Sequence, residues 1–342
     1  MNEVKMTIKV GGIFLIENIN GIMEKYGFKV KAYHRGRGSF ICETDKGIKL
    51  LKEMETTVNK TWFSYYVKKH LINNDYNQVD QYILMEDKPY YEEKDKKYIV
   101  KNWFEGRECN LYDEKETLLA VKNLAKLHKT LQYVSVPEDK LQVTSNSFTY
   151  NLKKHNKELK RVRKYIRNKS RYADFDILFL KNFMYYYEKA KESVNNFEEL
   201  DYNLLIREAN TKTQICHNDY NQHNALLVGN KMMTVNFEKS VVDLQILDLY
   251  KLIRKVMEKN NWYTEYGMKM IYTYDQCNTI NQKQLKVLYN TLLYPEKFWK
   301  ISNYYYNSKK SWEPKISLEK LQKIIHQQES KNQFLKVLKD QM

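Results

Sequence analysis

The strongest constraint on the fold is a change of pattern close to residue 103. Before this point, short segments rich in β-branched and aromatic residues are separated by tight turns, which predicts strands. "SFICET" and "IKLLKEM" flank a turn at 45–47 that is typical of a hairpin. "YILMEDKPYYEE" and "KKYIVKNW" flank a second, charged turn. The sequence therefore predicts two antiparallel hairpins in the first third of the chain.

Helical spacing accounts for most of the remainder. One helix, "NKTWFSYYVKKHLINN", is predicted between the two hairpins. After residue 108, apolar residues recur every three or four positions, beginning with "EKETLLAVKNLAKLHK". Asp113 and Glu116 form a capping-box pattern at the start of that helix. The second part of the chain is therefore predicted to be mainly helical.

The strong strand signal of the second half is "ALLV" followed by "MMTVNFE", joined through Gly229-Asn230. Together these patterns predict an α+β protein with a small antiparallel β-rich N-lobe and a large, mostly helical C-lobe. The predicted boundaries are 1–101 for the N-lobe, with 1–27 as a helical or extended lead-in, and 102–342 for the C-lobe, with a catalytic-loop-like segment at 215–248.

Composition narrows the classes of partner. The 342 residues carry 58 Lys and Arg against 42 Asp and Glu, and the net charge of +16 would attract phosphate groups, nucleic acid or acidic proteins. The basic residues are densest in "LKKHNKELKRVRKYIRNKSR", where Leu152, Leu159, Val162 and Ile166 fall at helical spacing. We interpret this segment as an amphipathic helix with a solvated basic face, with a partner-binding patch as the alternative. No recognition motif accompanies it, so nucleic-acid binding is not favoured.

The expected cellular location follows from the spacing of the cysteines and from the length of the apolar segments. The four cysteines are scattered, without metal or disulfide spacing, which indicates reduced thiols. The N-terminal apolar run is broken by Lys9 and closed by Glu17, and no stretch reaches 18 apolar residues. We therefore expect cytoplasmic synthesis, no membrane span and no secretion.

The segment that carries chemistry begins at His217. His217, Asp219 and Asn224 match H-x-D-x-x-x-x-N, the catalytic-loop spacing of kinases, with Asp219 as the base and Asn224 as a metal ligand. A hairpin follows directly, as in kinases, where its second strand carries the metal-binding acid. This context favours a catalytic loop over a polar surface turn, and with it a two-lobed protein-kinase-like fold.

The phosphate-binding lysine is predicted on the second strand of the first hairpin. Lys52 ends an apolar run there, whereas Lys49, its competitor, should point to the opposite face. A solvated edge lysine remains the alternative for Lys52. Gly36 and Gly38 are a weak signal for a loop over phosphates.

Between the lobes, "YIVKNWFEG" is predicted to bind the edge of an adenine through its backbone at Lys101, Asn102 and Trp103. Asp248, at the head of a later helix, is predicted to cap that helix and to support the catalytic loop. His217 and Asp248 are therefore structural candidates.

Two features depart from the kinase pattern. Asn236 stands where the metal-binding carboxylate is expected, and an amide oxygen ligates Mg²⁺ without adding charge. The helix after Lys52 contains no acid to pair with that lysine. Glu238 would share a face with Asn236 on a continuing strand and could then reach the metal, with an exposed loop carboxylate as the alternative. Asn224, Asn236 and Glu238 are thus the candidate metal ligands, and weak binding of ATP and Mg²⁺ is expected.

Several segments together resemble a known family. These are "ICHNDYNQHNALL", "TVNFEKSVVDLQILDLYKLIRKVMEKNNW", "YPEKFWKISNYYYNSKKSW", "TDKGIKLLK" and "WFEG". They are similar to the CotS family of spore coat proteins, in the aminoglycoside phosphotransferase and choline kinase branch of the kinase-like fold.

The resemblance implies Asp219 as a base-like residue, Asn224 as a metal ligand, Lys52 as the phosphate lysine and Asp248 as a loop-stabilising acid. The family's metal-binding Asp falls at Asn236. It further implies synthesis in the mother cell of a spore-forming bacterium, deposition on the forespore, and other spore coat proteins as partners. Two hypotheses follow: a coat assembly protein with weak or absent catalysis, or a phosphotransferase acting on a small hydroxylated molecule or a coat protein.

Overall fold

The computed structural model describes residues 18–144, 148–307 and 314–342. The first part of the chain forms a six-stranded antiparallel sheet in the order β1-β2-β3-β6-β4, with β5 also paired to β6. Two helices accompany this sheet. The elements are α1 (Ile19–Lys25), β1 (Val30–Arg35), β2 (Phe40–Thr44), β3 (Gly47–Glu53), α2 (Val58–Asn73), β4 (Tyr82–Ile83), β5 (Tyr91–Glu93) and β6 (Lys96–Asn102).

Tight turns create the two predicted hairpins. Thr44 pairs with Gly47 across a two-residue loop, and Gly47 has a φ of 85°, which glycine adopts without strain. Lys94 and Asp95, between β5 and β6, have φ values of 49° and 64°, as the loop of a twisted hairpin requires. The predicted first strand of this hairpin is divided into β4 and β5, because a further turn brings Met85 back to Lys88.

The second part of the chain is mostly helical. Its strands are β7 (Arg107–Glu108), β8 (Ile215–Cys216), β9 (Ala225–Val228), β10 (Lys231–Thr234) and β11 (Val241–Val242). Its helices are α3 (Glu114–Thr130), α4 (Phe148–Arg167), α5 (Asp174–Glu199), α6 (Tyr202–Thr211), α7 (Ile246–Lys259), α8 (Thr264–Asp275), α9 (Gln282–Leu293), α10 (Glu296–Asn307), α11 (Pro314–His326) and α12 (Gln328–Lys339). The predicted α+β architecture, with an antiparallel β-rich first part and a mostly helical remainder, is confirmed, while the exact lobe boundary at residue 101 stays a prediction.

Local signals fix several elements. Asp113 caps α3 by accepting the backbone N–H of Glu116 at 3.0 Å. The Glu116 carboxylate does not complete a capping box, because it binds Arg107 and the backbone of Asn110 instead. The basic segment forms α4 with buried Leu152, Leu159 and Ile166, as its spacing predicts.

The cores explain how the two lobes are held together. A small cluster lies under the sheet around Met23, Cys42 and Leu51. A large cluster fills the helical part, and Phe63, Val67 and Leu71 of α2 belong to it. A third, aromatic cluster joins α4, α5, α10 and α11. Because α2 contributes to the core of the second part, the sheet is anchored to the helices by apolar packing as well as by the connecting chain.

Two sequence interpretations fall outside the described residues. These are the apolar run at the N-terminus and the end of the segment "NSKKSW". Among the helices of the described ranges, none has the length and apolar content needed to cross a membrane.

Candidate active site

A cavity of about 680 Å³ lies between the sheet and the helical part. Its roof is the inner face of β1–β3, its rear wall is the connection at 103–106, and its floor includes Asp219, Asn224 and Asn236. Pockets of roughly 300–1,000 Å³ hold small ligands and cofactors. The cavity is therefore large enough for a nucleotide.

Lys52 points into this cavity from β3. It pairs with Ile99 across the sheet, and its Nζ lies 3.1 Å from a carboxylate oxygen of Glu55. Lys49 lies outside the lining, and its Nζ donates to the carbonyl of Lys46 at 2.7 Å. The alternation along β3 thus places the two lysines on opposite faces, and Glu55, from the loop after β3, supplies the acid that α2 lacks.

The turn between β1 and β2 covers the cavity and is tied to the other lobe. Gly36 lines the cavity, and Gly38 has a φ of 66°. Arg37 lies 2.8 Å from one carboxylate oxygen of Glu108, whose other oxygen lies 2.8 Å from Nδ1 of His223. The turn is consequently linked through β7 to the predicted catalytic loop.

The connection between the lobes presents one of its three predicted residues to the cavity. Trp103 lines it, with Glu105 and Gly106, whereas Lys101 and Asn102 do not. The backbone N–H groups of Asn102 and Trp103 donate to Gln81 and Ile48. An added Cβ on Gly106 would lie 2.7 Å from Val228, so only glycine lets the chain pass β9 this closely.

The predicted catalytic loop is held in place by His217. This side chain is buried, and its Nε2 donates to the carbonyl of Val235 at 2.9 Å while Nδ1 accepts from the backbone of Asp219. Burial lowers the pKa of His217, which agrees with a neutral ring of this tautomer. Its ring also contacts Phe237 edge-on. His217 therefore occupies a structural position.

Asp248 supports the same loop from the first turn of α7. It does not cap that helix as predicted, because the N-cap is Gln245, without a side-chain hydrogen bond. Both of its carboxylate oxygens accept the backbone N–H of Asn218, at 3.0 and 3.1 Å. Burial alone would raise the pKa of Asp248, but hydrogen bonding from His128 and the attraction of Lys251 bring it to about 2. Asn218 has a φ of 64°, and this bond compensates for that unfavourable conformation.

Asp219 lies on the cavity floor with its carboxylate accessible. One oxygen accepts from the Nζ of Lys239 at 2.8 Å, and the other accepts from the side-chain amide of Asn221 at 2.9 Å. Asn224 donates to the Asp219 carbonyl, and its amide oxygen accepts from Asn236 at 2.9 Å. The predicted base and two predicted metal ligands are thus brought together.

The third predicted metal ligand requires a correction. Glu238 was expected on a continuing strand beside Asn236, but β10 ends at Thr234. Asn236 has a φ of 64°, and Phe237–Lys239 is a 3₁₀ turn. Glu238 is therefore directed by this turn rather than by strand alternation. Its carboxylate reaches the cavity wall, where it binds the Nζ of Lys101 and accepts from Tyr82 at 3.3 Å.

Glu238 belongs to a buried cluster of four charges, which we call the charge quartet: Lys68, Asp80, Lys101 and Glu238. Lys68 lies 2.7 Å and Lys101 2.9 Å from the two carboxylate oxygens of Asp80. The side chains of Lys68, Asp80 and Lys101 are almost fully buried, and that of Glu238 is 16% exposed. Two positive and two negative charges therefore balance in a site with little water.

The environment of the quartet sets its protonation. Burial would raise the pKa of Glu238, but Lys101 and Lys68 lower it far below its usual value. For Lys101, burial opposes the attraction of Asp80 and Glu238, which raises its pKa well above its usual value. Burial lowers the pKa of Lys68 to about 8 despite Asp80. The ion pair between Lys101 and Glu238 is therefore fully charged at neutral pH.

Sequence reasoning did not identify Lys68 and Asp80. Lys68 is four positions after buried Ser64 on α2, so helical spacing places it on the inner face. Asp80 follows α2 in a connecting segment and has no pattern that marks it.

These contacts determine what the cleft can do. Asp219 can accept a hydrogen bond or a proton from a hydroxyl group, and Lys52 can bind a phosphate. At the predicted metal position, two neutral amides bind each other and the carboxylate of Glu238 is already paired, so these residues fit a divalent cation poorly. Within the described residues, no group of three or more His, Cys, Asp or Glu side chains is arranged to hold a metal ion.

Comparison with solved structures identifies the fold. An aminoglycoside phosphotransferase from Alicyclobacillus acidocaldarius superposes with a TM-score of 0.86 at 18% identity, with 97% of each chain covered. A spectinomycin phosphotransferase in complex with ADP and spectinomycin superposes with a TM-score of 0.63 at 14% identity, covering 90% of this chain and 93% of the other.

Sequence comparison identifies the family. Spore coat protein S of Bacillus subtilis (strain 168) is 23% identical over 327 residues, which is 93% of this chain and 92% of that protein. A sequence profile of the family described as "Spore coat putative kinase YutH" matches residues 19–338. The resemblance to spore coat proteins with a kinase-like fold is confirmed, and the chain belongs to the spore coat putative kinase YutH family.

Proposed function

We propose that this chain acts in spore coat assembly as a kinase-like protein that binds a nucleotide and transfers phosphate weakly or not at all. The observation that carries this proposal is the pairing of Glu238 with buried Lys101, beside the hydrogen-bonded amides of Asn224 and Asn236. Giving Glu238 to a metal would leave Lys101 short of one partner in a buried site, which is costly. Magnesium-dependent binding of ATP should therefore be weak.

Nucleotide binding is supported by the cavity and by similarity. The cavity of about 680 Å³ contains Lys52 as a phosphate partner and the Trp103 ring as an apolar wall. The structurally similar spectinomycin phosphotransferase contains ADP. We propose that ATP or ADP occupies the same place here, with the base near the connection at 103–106.

Family membership supports the biological setting. The chain would be made in the mother cell, placed on the forespore and held in the coat by other spore coat proteins. The decisive test is genetic: spores that lack the chain are compared with spores that carry native chain or Asp219→Ala. We expect both proteins to restore the coat equally. A coat defect that only the native chain repairs would show that catalysis is needed.

The second candidate function is phosphate transfer to a small hydroxylated molecule or a coat protein, and the placement of Asp219 favours it. Asp219 would accept the proton of the acceptor hydroxyl, whose oxygen would bond to the γ-phosphorus of ATP as the bond to ADP breaks. Lys239 would have to leave Asp219 first, which is inexpensive because its side chain is 68% exposed.

Calorimetry and turnover assays separate the two candidates. ATP binding is measured with and without Mg²⁺ for the native chain and for Asn236→Asp, and ADP release is measured for the native chain and Asp219→Ala. We expect ATP to bind the native chain with little effect of Mg²⁺, and Asn236→Asp to gain about tenfold in the presence of Mg²⁺. ADP release that vanishes in Asp219→Ala would overturn weak or absent catalysis. No binding of ATP to either protein would overturn the nucleotide site.

A further inference from the structure

A second cavity, of about 340 Å³, lies in the helical part beside the catalytic loop. Gln222 of that loop forms one side, and α7, α11 and the start of α10 form the others. The charged residues that line it are five lysines and one acid: Lys255, Lys259, Lys297, Lys320, Lys323 and Glu258. We call this cavity the lysine groove.

The single acid does not neutralise the groove. Glu258 already binds Nη1 of Arg254 at 2.6 Å and Nζ of Lys297 at 3.3 Å. Lys255, Lys320 and Lys323 form no ion pair with any residue that the structure describes. The groove therefore has an excess of positive charge that the protein itself leaves uncompensated.

A narrower cavity continues from the groove into the protein. The two share Glu258 and Lys297, and the inner one extends to Lys331 of α12. The Lys331 Nζ lies 5.0 Å from the centre of the Trp262 ring and has no ion pair within the described ranges. Burial lowers the pKa of Lys331 to about 8. Glu258 and Glu296, which also line the inner cavity, attract Lys331 without forming an ion pair with it. A desolvated cation that is only partly compensated is unfavourable, and an anion would stabilise it.

The groove adjoins the catalytic segment. Gln222 lines the groove, whereas Asp219, His223 and Asn224 line the interlobe cavity, so the loop separates the two spaces. Burial lowers the pKa of half-buried Lys255, and the attraction of Asp219 opposes this shift. Lys255 therefore connects the groove electrostatically to the predicted base.

We propose that the lysine groove binds a small molecule carrying two or more phosphate or carboxylate groups. Its charge selects anions and would repel a cationic ligand. Its volume lies in the range of pockets for small ligands, and its cations come from several helices, which suits a compact ligand with more than one anionic group. This binding does not depend on whether the interlobe cleft transfers phosphate.

The test is calorimetry on the full chain, with tripolyphosphate and citrate as the probes. The groove variant is Lys255→Gln/Lys323→Gln. The matched control is Lys283→Gln/Lys286→Gln, which removes the same charge from exposed positions of α9 outside the groove. We expect at least one probe to bind the native chain, the groove variant to lose at least tenfold in affinity, and the control to lose less than twofold. The probe that binds more tightly distinguishes a phosphate ligand from a carboxylate ligand.

One further variant and one further probe show where the anion binds and what kind of molecule it is. Lys52→Gln should remove any tripolyphosphate that binds in the interlobe cavity, and the binding that the groove variant loses should remain in it. Equal losses in the groove variant and the control, or binding that Lys52→Gln abolishes and the groove variant keeps, would overturn the proposal. An oligoglutamate peptide that binds at least tenfold more tightly than both probes would overturn the choice of a small molecule in favour of an acidic protein segment. Urea denaturation of each variant confirms that it is folded.

Discussion

The two ends of the interlobe cleft each contain a carboxylate paired with a lysine, and they differ in solvent access. Asp219 is 32% exposed and its partner Lys239 is 68% exposed, whereas Glu238 is 16% exposed and Lys101 is 1% exposed. An exposed pair is worth little and can exchange for a ligand, while a buried pair is costly to break. The carboxylate of Asp219 is therefore available to bind a ligand, and we call this the available end. The carboxylate of Glu238 is held in a buried ion pair that stabilises the fold, and we call this the committed end.

The largest expected change in the free energy of unfolding comes from a substitution at the committed end. Asp80→Asn removes one negative charge from the charge quartet and leaves two buried lysines with a single acid. We expect a loss of about 3–5 kcal/mol in the free energy of unfolding, measured by urea denaturation.

Two comparisons sharpen this prediction. Asp80→Asn combined with Lys68→Met restores the charge balance and should be more stable than Asp80→Asn alone. Glu92→Gln breaks the exposed pair with Lys97 and should change stability far less. Equal effects of Asp80→Asn and Glu92→Gln would show that burial does not distinguish the two kinds of pair.

A smaller effect is expected from Asp248, which supports the predicted catalytic loop. Asp248→Asn weakens the bonds to the Asn218 amide and the contact with His128, and should cost about 1.5–3 kcal/mol. The amide of Asn218 should also exchange its hydrogen faster, since it loses a charged acceptor. Hydrogen exchange that is unchanged at this amide would mean that Asp248 does not hold the loop.

The contribution of Asp248 to the free energy of unfolding should also depend on pH. The pKa of Asp248 is about 2 in the folded protein, whereas the ordinary pKa of an aspartate is 3.8. The stabilisation from ionised Asp248 is therefore fully present above pH 3.8, and it is lost as the pH falls through the folded-state pKa. The shift corresponds to about 2 kcal/mol. In urea denaturation between pH 6 and pH 3, the gap between the native chain and Asp248→Asn should narrow with falling pH. A gap that widens would contradict the lowered pKa.

The smallest effect is expected at the available end. Lys239→Ala removes an exposed partner of Asp219 and should change the free energy of unfolding by less than about 1 kcal/mol. Thermal or urea denaturation measures this change. A loss in the free energy of unfolding as large as that of Asp80→Asn would show that the two ends of the cleft do not differ in their contribution to stability.

Local chemistry made much of this fold predictable. Gly47 and Gly229-Asn230 mark hairpin turns, Asp113 marks the start of a helix, and the spacing of Leu152, Leu159 and Ile166 marks a buried helical face. Each of these signals acts between residues close in sequence. The same holds for Asp219 and Asn224, which one loop brings together, although their functional roles stay predictions.

The errors arise where one unusual backbone conformation or a distant partner decides the outcome. Asn236 has a φ of 64°, so the strand ends before Glu238. The alternation of side chains along a strand therefore does not determine where Glu238 points. Lys101 was predicted for its backbone, but its side chain is directed by Asp80 and Glu238, which are 21 and 137 positions away. No local pattern encodes such partners. The groove lysines were missed for the same reason, because α7, α10 and α11 bring them together only in the folded chain.

The charge quartet also limits how the molecule can move. Lys101 lies on β6 and Glu238 lies in the helical part, so a hinge rotation that opened the cleft at this end would pull a buried ion pair apart. A cost of about 3 kcal/mol would leave fewer than about one molecule in a hundred open at any moment. Ligands should therefore enter at the opposite edge, past the turn that carries Arg37. Apart from motion at that edge, the two lobes should therefore move as one rigid body.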